Sequence, residues 1–287
     1  MSQSLAAPRR GHQRTRLSLP LLVSYAILIV FSLFYLMPVY VLLVTGLKPL
    51  PEVNLEHMWS LPSAITLDGF QVAWAKLEPN LRNSVILVLP ATMLSTIVGS
   101  INGYILSKWR FRGSEFLFGA MTLGVFMPGQ MVLLPWAFIL GHIGLSNTIA
   151  GLTLIHCVQG LSFTTLFCRN YYVSVPDDLI KAARIDGAGF WRIFRKIILP
   201  LSPPILIVTV IWQFTGIWNE FLYGVTFTTA TQQPVTAALI GLNAAIADVP
   251  QHGVQSAAVV IAALPTLLVY LFGGKYFLRG LTAGAVK

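Results

Sequence analysis

Five histidines, His12, His57, His142, His156 and His252, are the first candidates for acid–base or metal chemistry. A metal-dependent hydrolase needs two of them on one face of a helix with a glutamate beside them, as in HExxH. None of the five has that spacing. No GxSxG turn offers an activated serine. No GxxxxGK[ST] phosphate loop occurs either, since Gly273-Gly274-Lys275 is followed by Tyr276. Cys157 and Cys168 belong to one apolar run and read as free thiols packed as small hydrophobes. Neither metal nor catalytic residues are expected. His156 lies inside an apolar run, where an ionisable group flags function, but a hydrogen bond to a neighbouring helix is the stronger reading. Gln130, Gln159, Gln213, Trp218, Asn219 and Glu220 place amide, indole and acid groups in apolar settings. Such groups either bond helix to helix or line a path for a polar solute.

A second constellation runs from Pro176 to Pro204, PDDLIKAARIDGAGFWRIFRKIILPLSPP, between two long apolar runs. Ser174, Asp177 and Asp178 suit a helix start, where a hydroxyl caps free amides and acids meet the positive end of the dipole. Leu179, Ile180, Ala182 and Ala183 supply an apolar face at helical spacing. Gly187 can end the helix in a left-handed conformation. A second helix follows, with Phe190, Trp191, Ile193, Phe194 and Ile197 apolar and Arg192, Arg195 and Lys196 basic. Two uses fit this hairpin. It can lie on a membrane with its basic face toward anionic lipid. Its small residues Ala182, Ala183, Gly187 and Ala188 can instead let it approach a groove on another protein, and they favour docking.

The elements that must position these groups are membrane helices. Apolar residues make up 55% of the 287 and charged ones 10%, with mean hydropathy +0.73; a soluble domain carries about 25% charged residues. A bilayer core of ~30 Å takes ~20 apolar residues per helix, and six stretches qualify: 21–47, 84–106, 117–140, 149–167, 204–225 and 257–277. The first is too long for a signal peptide and has no small-residue cleavage site after it. The net charge of +9 does not signal nucleic acid, because the basic residues flank the apolar spans. Of the 19 Lys and Arg, only Lys48, Lys76 and Arg82 fall on the far side from the hairpin. The positive-inside rule then makes both termini and the hairpin cytoplasmic. Long outer loops over 48–82 and 226–255 are expected. Pro90, Pro128, Pro135 and Pro265 interrupt the spans, and Gly99 with Gly103 forms a small-xxx-small face for close helix contact. The fold class is all-α: a segment 1–20, a six-span domain 21–277 with the hairpin at 174–200, and a tail 278–287.

The hairpin resembles the EAA motif of permease subunits of ATP-binding-cassette (ABC) importers. Lys181-Ala182-Ala183 takes the EAA position, Asp186-Gly187-Ala188 the DGA, and Leu199-Pro200 the closing Leu-Pro; Lys181 stands where the motif has Glu. Further stretches look like the maltose-type carbohydrate-uptake class: Thr45-Gly46-Leu47-Lys48, Leu81-Arg82-Asn83-Ser84, Met127-Pro128-Gly129-Gln130, Trp218-Asn219-Glu220-Phe221, and the tail from Arg279 to Lys287. The resemblance implies an inner-membrane subunit that pairs with a second permease and receives sugar from an extracytoplasmic binding protein. Two cytoplasmic ATPase subunits would hold ATP and magnesium. It implies that Lys181, Ala182, Ala183, Asp186, Gly187, Ala188 and Phe190 dock in a cleft on the ATPase. The carbohydrate-type tail argues against a peptide, polyamine or ion as solute. A secondary transporter would need internal repeats and intramembrane acids, whereas Glu220 is the only acid near a span.

Overall fold

The structure is a computed structural model that describes residues 19–245 and 252–283. Arg9, Arg10, Arg14 and Arg16, and the end of the tail from Gly284 to Lys287, lie outside the described residues. The architecture is helical. Helix α1 (Leu19–Gly46) is followed by α2 (Asp68–Lys108), α3 (Ser114–Val125), α4 (Leu133–His142) and α5 (Ile149–Val173). The hairpin holds α6 (Asp177–Ile185) and α7 (Phe190–Ile193), which continues through a π-helical turn (Phe194–Ile198) into α8 (Leu199–Leu201). Then come α9 (Pro203–Trp218), α10 (Leu222–Phe227), α11 (Val235–Ala245) and α12 (His252–Ala283).

Four helices are each long and apolar enough to cross a membrane: α1, α2, α5 and the 252–274 part of α12. Two further spans are broken. The Ser114–Val125 and Gly129–His142 segments meet at 106°, and Phe190–Leu201 and Pro203–Trp218 at 78°. Counting each bent pair as one span gives six. The expected third span is therefore a sharp bend. Pro128 sits at φ −59° and ψ 134°, outside helical space, and a proline also disfavours helix in the residue before it. Pro135 falls in the first turn of α4, where its missing N–H costs nothing. The fifth span also ends earlier than expected: α9 stops at Trp218, and α10 starts anew at Leu222.

The outer loop expected over 48–82 is shorter, because α2 begins at Asp68. Phe70, Ala73 and Leu77 lie at helical spacing and pack into the core, so the segment is an amphipathic helix although its mean hydropathy is low. At 1.5 Å per residue α2 is about 60 Å long, twice the bilayer core. The loop expected over 226–255 likewise contains α11; its residues 246–251 lie outside the described ones. At the other end, α12 carries the helix through Arg279 to Ala283.

Helices α2 and α5 form the spine. A Cβ on Gly99 would lie 2.0 Å from Thr164 Oγ1, and one on Gly103 2.7 Å from Arg169 N and Cys168 Cβ, so the small-xxx-small face does set this contact. The buried Tyr172 hydroxyl joins three elements, bonding Ser100 Oγ at 2.7 Å and Ser202 Oγ at 2.9 Å. Ser202 marks the break before α9, so the bend is tied to the spine. Buried apolar residues gather in two clusters. One, around Leu87, Ile155, Ile217 and Tyr223, fills the far half. The other, around Tyr104, Tyr172, Ile180, Ile193 and Ile198, lies under the hairpin.

Candidate functional site

Helix α6 places one face inward and leaves the rest exposed. Ile180 is buried against the second cluster, with Ala183, Ala188 and Phe190 packed at its edge. Lys181, Ala182, Asp186 and Gly187 are exposed. Leu179 and Ile185, large apolar residues, are also exposed, Ile185 at 87%. The helix ends in a Schellman turn: Gly187 N donates to Arg184 O at 3.0 Å and Ala188 N to Ala183 O at 2.9 Å. Gly187 takes φ +76° with nothing within 4 Å of the place a Cβ would occupy. The turn thus needs glycine for its backbone, while this chain leaves the space beside it open. Asp177 and Asp178 occupy the first turn as expected. Ser174 does not cap it. Its hydroxyl donates to Tyr171 O at 2.6 Å, closing α5 instead.

Polar ties that sequence reasoning missed fasten the hairpin to the end of α2. Lys108, with its side chain 4% exposed, donates from Nζ to Val175 O and to Asp177 Oδ1, both at 2.6 Å. That hydrogen bond holds the Asp177 carboxyl below its usual value. Arg184 donates to Lys108 O at 3.3 Å and lies 4.1 Å over the Trp109 ring, a cation–π contact. Trp109 in turn meets Phe190 and Tyr104 edge-on or tilted. The Lys108-Trp109-Arg110 cluster at a span end was a visible signal, but its partners lie some seventy residues away. The exposed Lys181 has a neighbour of its own, Asp178, at 3.1 Å.

The polar residues inside the apolar runs separate into two kinds. Gln213 and Trp218 bond helix to helix. Gln213 Nε2 donates to Ser95 Oγ at 2.9 Å, and a Cβ on Gly160 would lie 1.8 Å from that amide. Trp218 is 2% exposed, and its indole donates to Ala262 O at 2.9 Å. Gln159, Asn219 and Glu220 instead gather at the break after α9, and exposed Gln130 follows the break before α4. Glu220 accepts from Tyr223 N and Gly224 N at 2.9–3.2 Å, so the carboxylate caps α10. Gln159 Nε2 donates to the Tyr223 hydroxyl at 2.6 Å, and that hydroxyl donates to Gly129 O at 3.1 Å. Tyr223 therefore joins the two breaks through α5. Buried His156 points Nε2 toward Glu220 Oε2 at 3.9 Å, beyond hydrogen-bond range, and that nitrogen has no bonded partner. No group of three or more His, Cys, Asp or Glu side chains placed to hold a metal occurs among the described residues.

Residues 91–281 match the family of binding-protein-dependent transport system inner membrane components. A probable ABC transporter permease of Pyrococcus horikoshii is 39% identical, over 92% of this chain and 96% of its own. A xylose/arabinose import permease of Haloferax volcanii is 33% identical, over 91% and 92%. A diacetylchitobiose uptake permease of Streptomyces coelicolor is 32% identical, over 86% and 83%. Among solved structures, a chain of a bacterial ABC transporter that imports the acidic polysaccharide alginate superposes with a TM-score of 0.77 at 21% identity, over 89% of this chain and 95% of that one. Its fold is shared. With two thirds of its length matched and relatives this similar end to end, the chain belongs to the family of binding-protein-dependent transport system inner membrane components: it is a multi-pass membrane permease subunit of an ABC importer, not an enzyme.

Proposed function

We propose that this permease carries a sugar inward across the cell membrane, driven by ATP hydrolysed in partner subunits. The substrate reading is supported by relatives named for xylose/arabinose, diacetylchitobiose and glucose import. The chain contains no phosphate loop, so ATP and magnesium would sit in two ATP-binding-cassette subunits. A second permease would complete the pathway, and an extracytoplasmic binding protein would deliver the sugar.

Coupling is assigned to α6 and its Schellman turn, through Lys181, Ala182, Ala183, Asp186, Gly187, Ala188 and Phe190. The observation that carries this is the helix itself: small and apolar side chains stand exposed on an element held by Lys108, Arg184 and Trp109 to the end of the longest helix. A push on such a helix passes directly into the spine. The charge distribution supports a cytoplasmic position for this face and for both termini. Gln130, Gln159, Asn219 and Glu220 are candidates for the solute path.

Reconstitution of the complete importer in proteoliposomes tests the reading. ATP-dependent uptake of glucose, xylose, arabinose or diacetylchitobiose is expected. Uptake of none of these, with uptake of a peptide or polyamine, would overturn the carbohydrate assignment. The purified chain alone should show no ATP hydrolysis above a mock preparation. Deleting Thr282–Lys287 should lower uptake at an unchanged membrane level; normal uptake would remove the tail from coupling.

A further inference from the structure

The end of the molecule opposite the hairpin holds a cavity of about 750 Å³ between the end of α1, the loop after it and the start of α12. Its depth follows from α1. Leu19 to Tyr40 of that helix spans about 32 Å, one bilayer core. Tyr40 therefore falls at an interface, where aromatic side chains settle. Its hydroxyl donates to Trp59 O at 3.0 Å, and Trp59 is exposed. The loop thus turns back along α1 instead of rising into water. Leu55, Leu61 and Ile65 stand exposed on it, which suits a headgroup layer better than free solvent.

Three chemistries follow one another across the cavity. Val41 and Thr45 line it from α1, with Val53 and Met58 from the loop. Thr45, Val41, Met37 and Phe34 form one stripe at helical spacing. Met37 and Phe34 are exposed below the cavity, so its apolar wall runs on into the open side of α1. Lys48 comes next. It is 5% exposed, donates to His57 O and forms no ion pair among the described residues. An ammonium has three N–H groups, and burying one without a counter-charge is costly, so an anion belongs beside it. Glu52 and Glu56 come last, half-buried and exposed. Glu52 accepts from Ser63 N at 3.1 Å, while Glu56 makes no ion pair among the described residues. The order is apolar wall, cation, carboxylates. An amino phospholipid presents the complement in the same order: acyl chain, phosphate, ammonium. A soluble protein would not reach the stripe at the depth of Met37.

We propose that this cavity binds one phospholipid whose headgroup carries a phosphate and a primary ammonium. The phosphate sits on Lys48, the ammonium on Glu52 and Glu56, and an acyl chain lies along Val41, Met37 and Phe34. The inference stands independently of the solute carried. Its consequence is mechanical. Helix α1 buries only Val44 and Gly46, so it is held to the rest of the chain at this end. A Cβ on Gly46 would lie 3.2 Å from the Phe70 ring and 3.3 Å from Ala257 N. A lipid seated between α1, the loop and α12 braces that attachment.

The test uses the complete importer, exchanged into phosphatidylethanolamine, phosphatidylcholine or phosphatidylglycerol, with native mass spectrometry counting the lipids retained. Phosphatidylcholine keeps the phosphate and methylates the amine; phosphatidylglycerol keeps the phosphate without an amine. The unaltered importer should retain one phosphatidylethanolamine more than the Val41→Trp variant, which fills the apolar wall. It should prefer that lipid to the other two by about tenfold. Lys48→Met should lose the extra lipid whatever its headgroup. Glu56→Gln should cut the preference for phosphatidylethanolamine about fivefold, with co-purification of all subunits unchanged. Because Glu56 is exposed, this variant keeps the test open if Lys48→Met fails to assemble. Equal retention of the three lipids overturns the assignment of the headgroup and the proposal with it. So does unchanged retention in both Val41→Trp and Glu56→Gln. Retention of no phosphatidylethanolamine by the unaltered importer, the outcome expected where a partner protein fills the cavity, overturns it as well.

Discussion

The hairpin joins two membrane helices and the break after α9 interrupts one, and they are built in opposite ways. The hairpin turns its distinctive residues outward. Lys181, Ala182, Asp186 and Gly187 are exposed, while Ile180 of α6 and Ile193, Phe194 and Ile198 of the following helix hold it to the core. The break turns its polar residues inward. Glu220, Tyr223, Gln159 and His156 satisfy or face one another, and Tyr223 reaches across to Gly129. An outward motif is complete only with a partner, so its substitutions should spare the fold and damage coupling. The inward network makes its bonds within the chain, so its substitutions should damage the fold as well.

The strongest test of that contrast is Gly187→Leu. A non-glycine residue at φ +76° costs on the order of 1–2 kcal/mol, and in this chain the added side chain meets nothing. The permease should still insert at a normal level. Sugar uptake should nevertheless fall by more than tenfold, with ATP hydrolysis uncoupled or the ATPase released. Gly187→Asn sharpens the reading, because asparagine tolerates the left-handed region and isolates bulk from backbone. Full assembly and uptake with Gly187→Leu would remove the turn from coupling.

On the inward side, Tyr223→Phe deletes both bonds of the hydroxyl and leaves Gly129 O and the Gln159 amide short of a partner. The cost should be about 1–2 kcal/mol, read as a lower melting temperature of the solubilised complex. A Cβ on Gly129 would lie 2.7 Å from the Tyr223 hydroxyl oxygen, so Gly129→Ala should be partly rescued by Tyr223→Phe. Strict additivity of the two would separate the breaks.

Lys108→Met probes the join between the two designs, since it removes the tie from α2 to the hairpin. The Asp177 partner is largely exposed, so the expected loss of stability is at most about 1 kcal/mol, with a larger loss of uptake. Because Asp177 is held below its usual value by Lys108, the pair stabilises the fold at any pH above the ordinary carboxylate range. That contribution disappears only as pH falls through the lowered native value. Uptake by the unaltered importer should therefore not change through this pair between about pH 6 and pH 8. Unchanged uptake in Lys108→Met would mean that motion does not pass from α6 to α2 at this point.

What could be read in advance follows the same division. The hairpin is local: acids at its start, apolar residues at helical spacing and a glycine at its end lie within a dozen positions, so its conformation was legible. The spans were legible as apolar runs. Their bends were not, because a proline in an apolar run either kinks a helix or ends it, and packing decides which. The low-hydropathy start of α2 was missed because Phe70, Ala73 and Leu77 carry its burial at a spacing that a mean hydropathy averages away. The Tyr223 network joins residues 64 and 94 positions apart, a distance at which no spacing rule connects an amide, a phenol and a carbonyl. Trp218 and Gln213 had suitable chemistry for sugar, but burial assigns them to helix contacts.

Lys181→Glu should have the smallest effect, and it tests whether the hairpin is matched to a particular partner. In the hairpin's resemblance to the EAA motif this residue takes the place of Glu, so we propose that the facing groove of this importer's ATPase is acidic or neutral there. Restoring Glu should then weaken co-purification of the ATPase, by at most about 1 kcal/mol for an exposed charge. The chain complicates the comparison by itself. Lys181 lies 3.1 Å from Asp178, three residues earlier on the same face, and Glu there would set like charges together at a cost of a few tenths of a kcal/mol. A weakened helix and a mismatched groove would look alike in the single variant. Lys181→Glu with Asp178→Asn removes the internal repulsion and leaves the groove contact alone. If co-purification stays weak in the double variant, the groove carries the preference for Lys. If it returns to the unaltered level, the cost lay in α6 itself, and tighter binding of the ATPase by either variant would overturn the charge match.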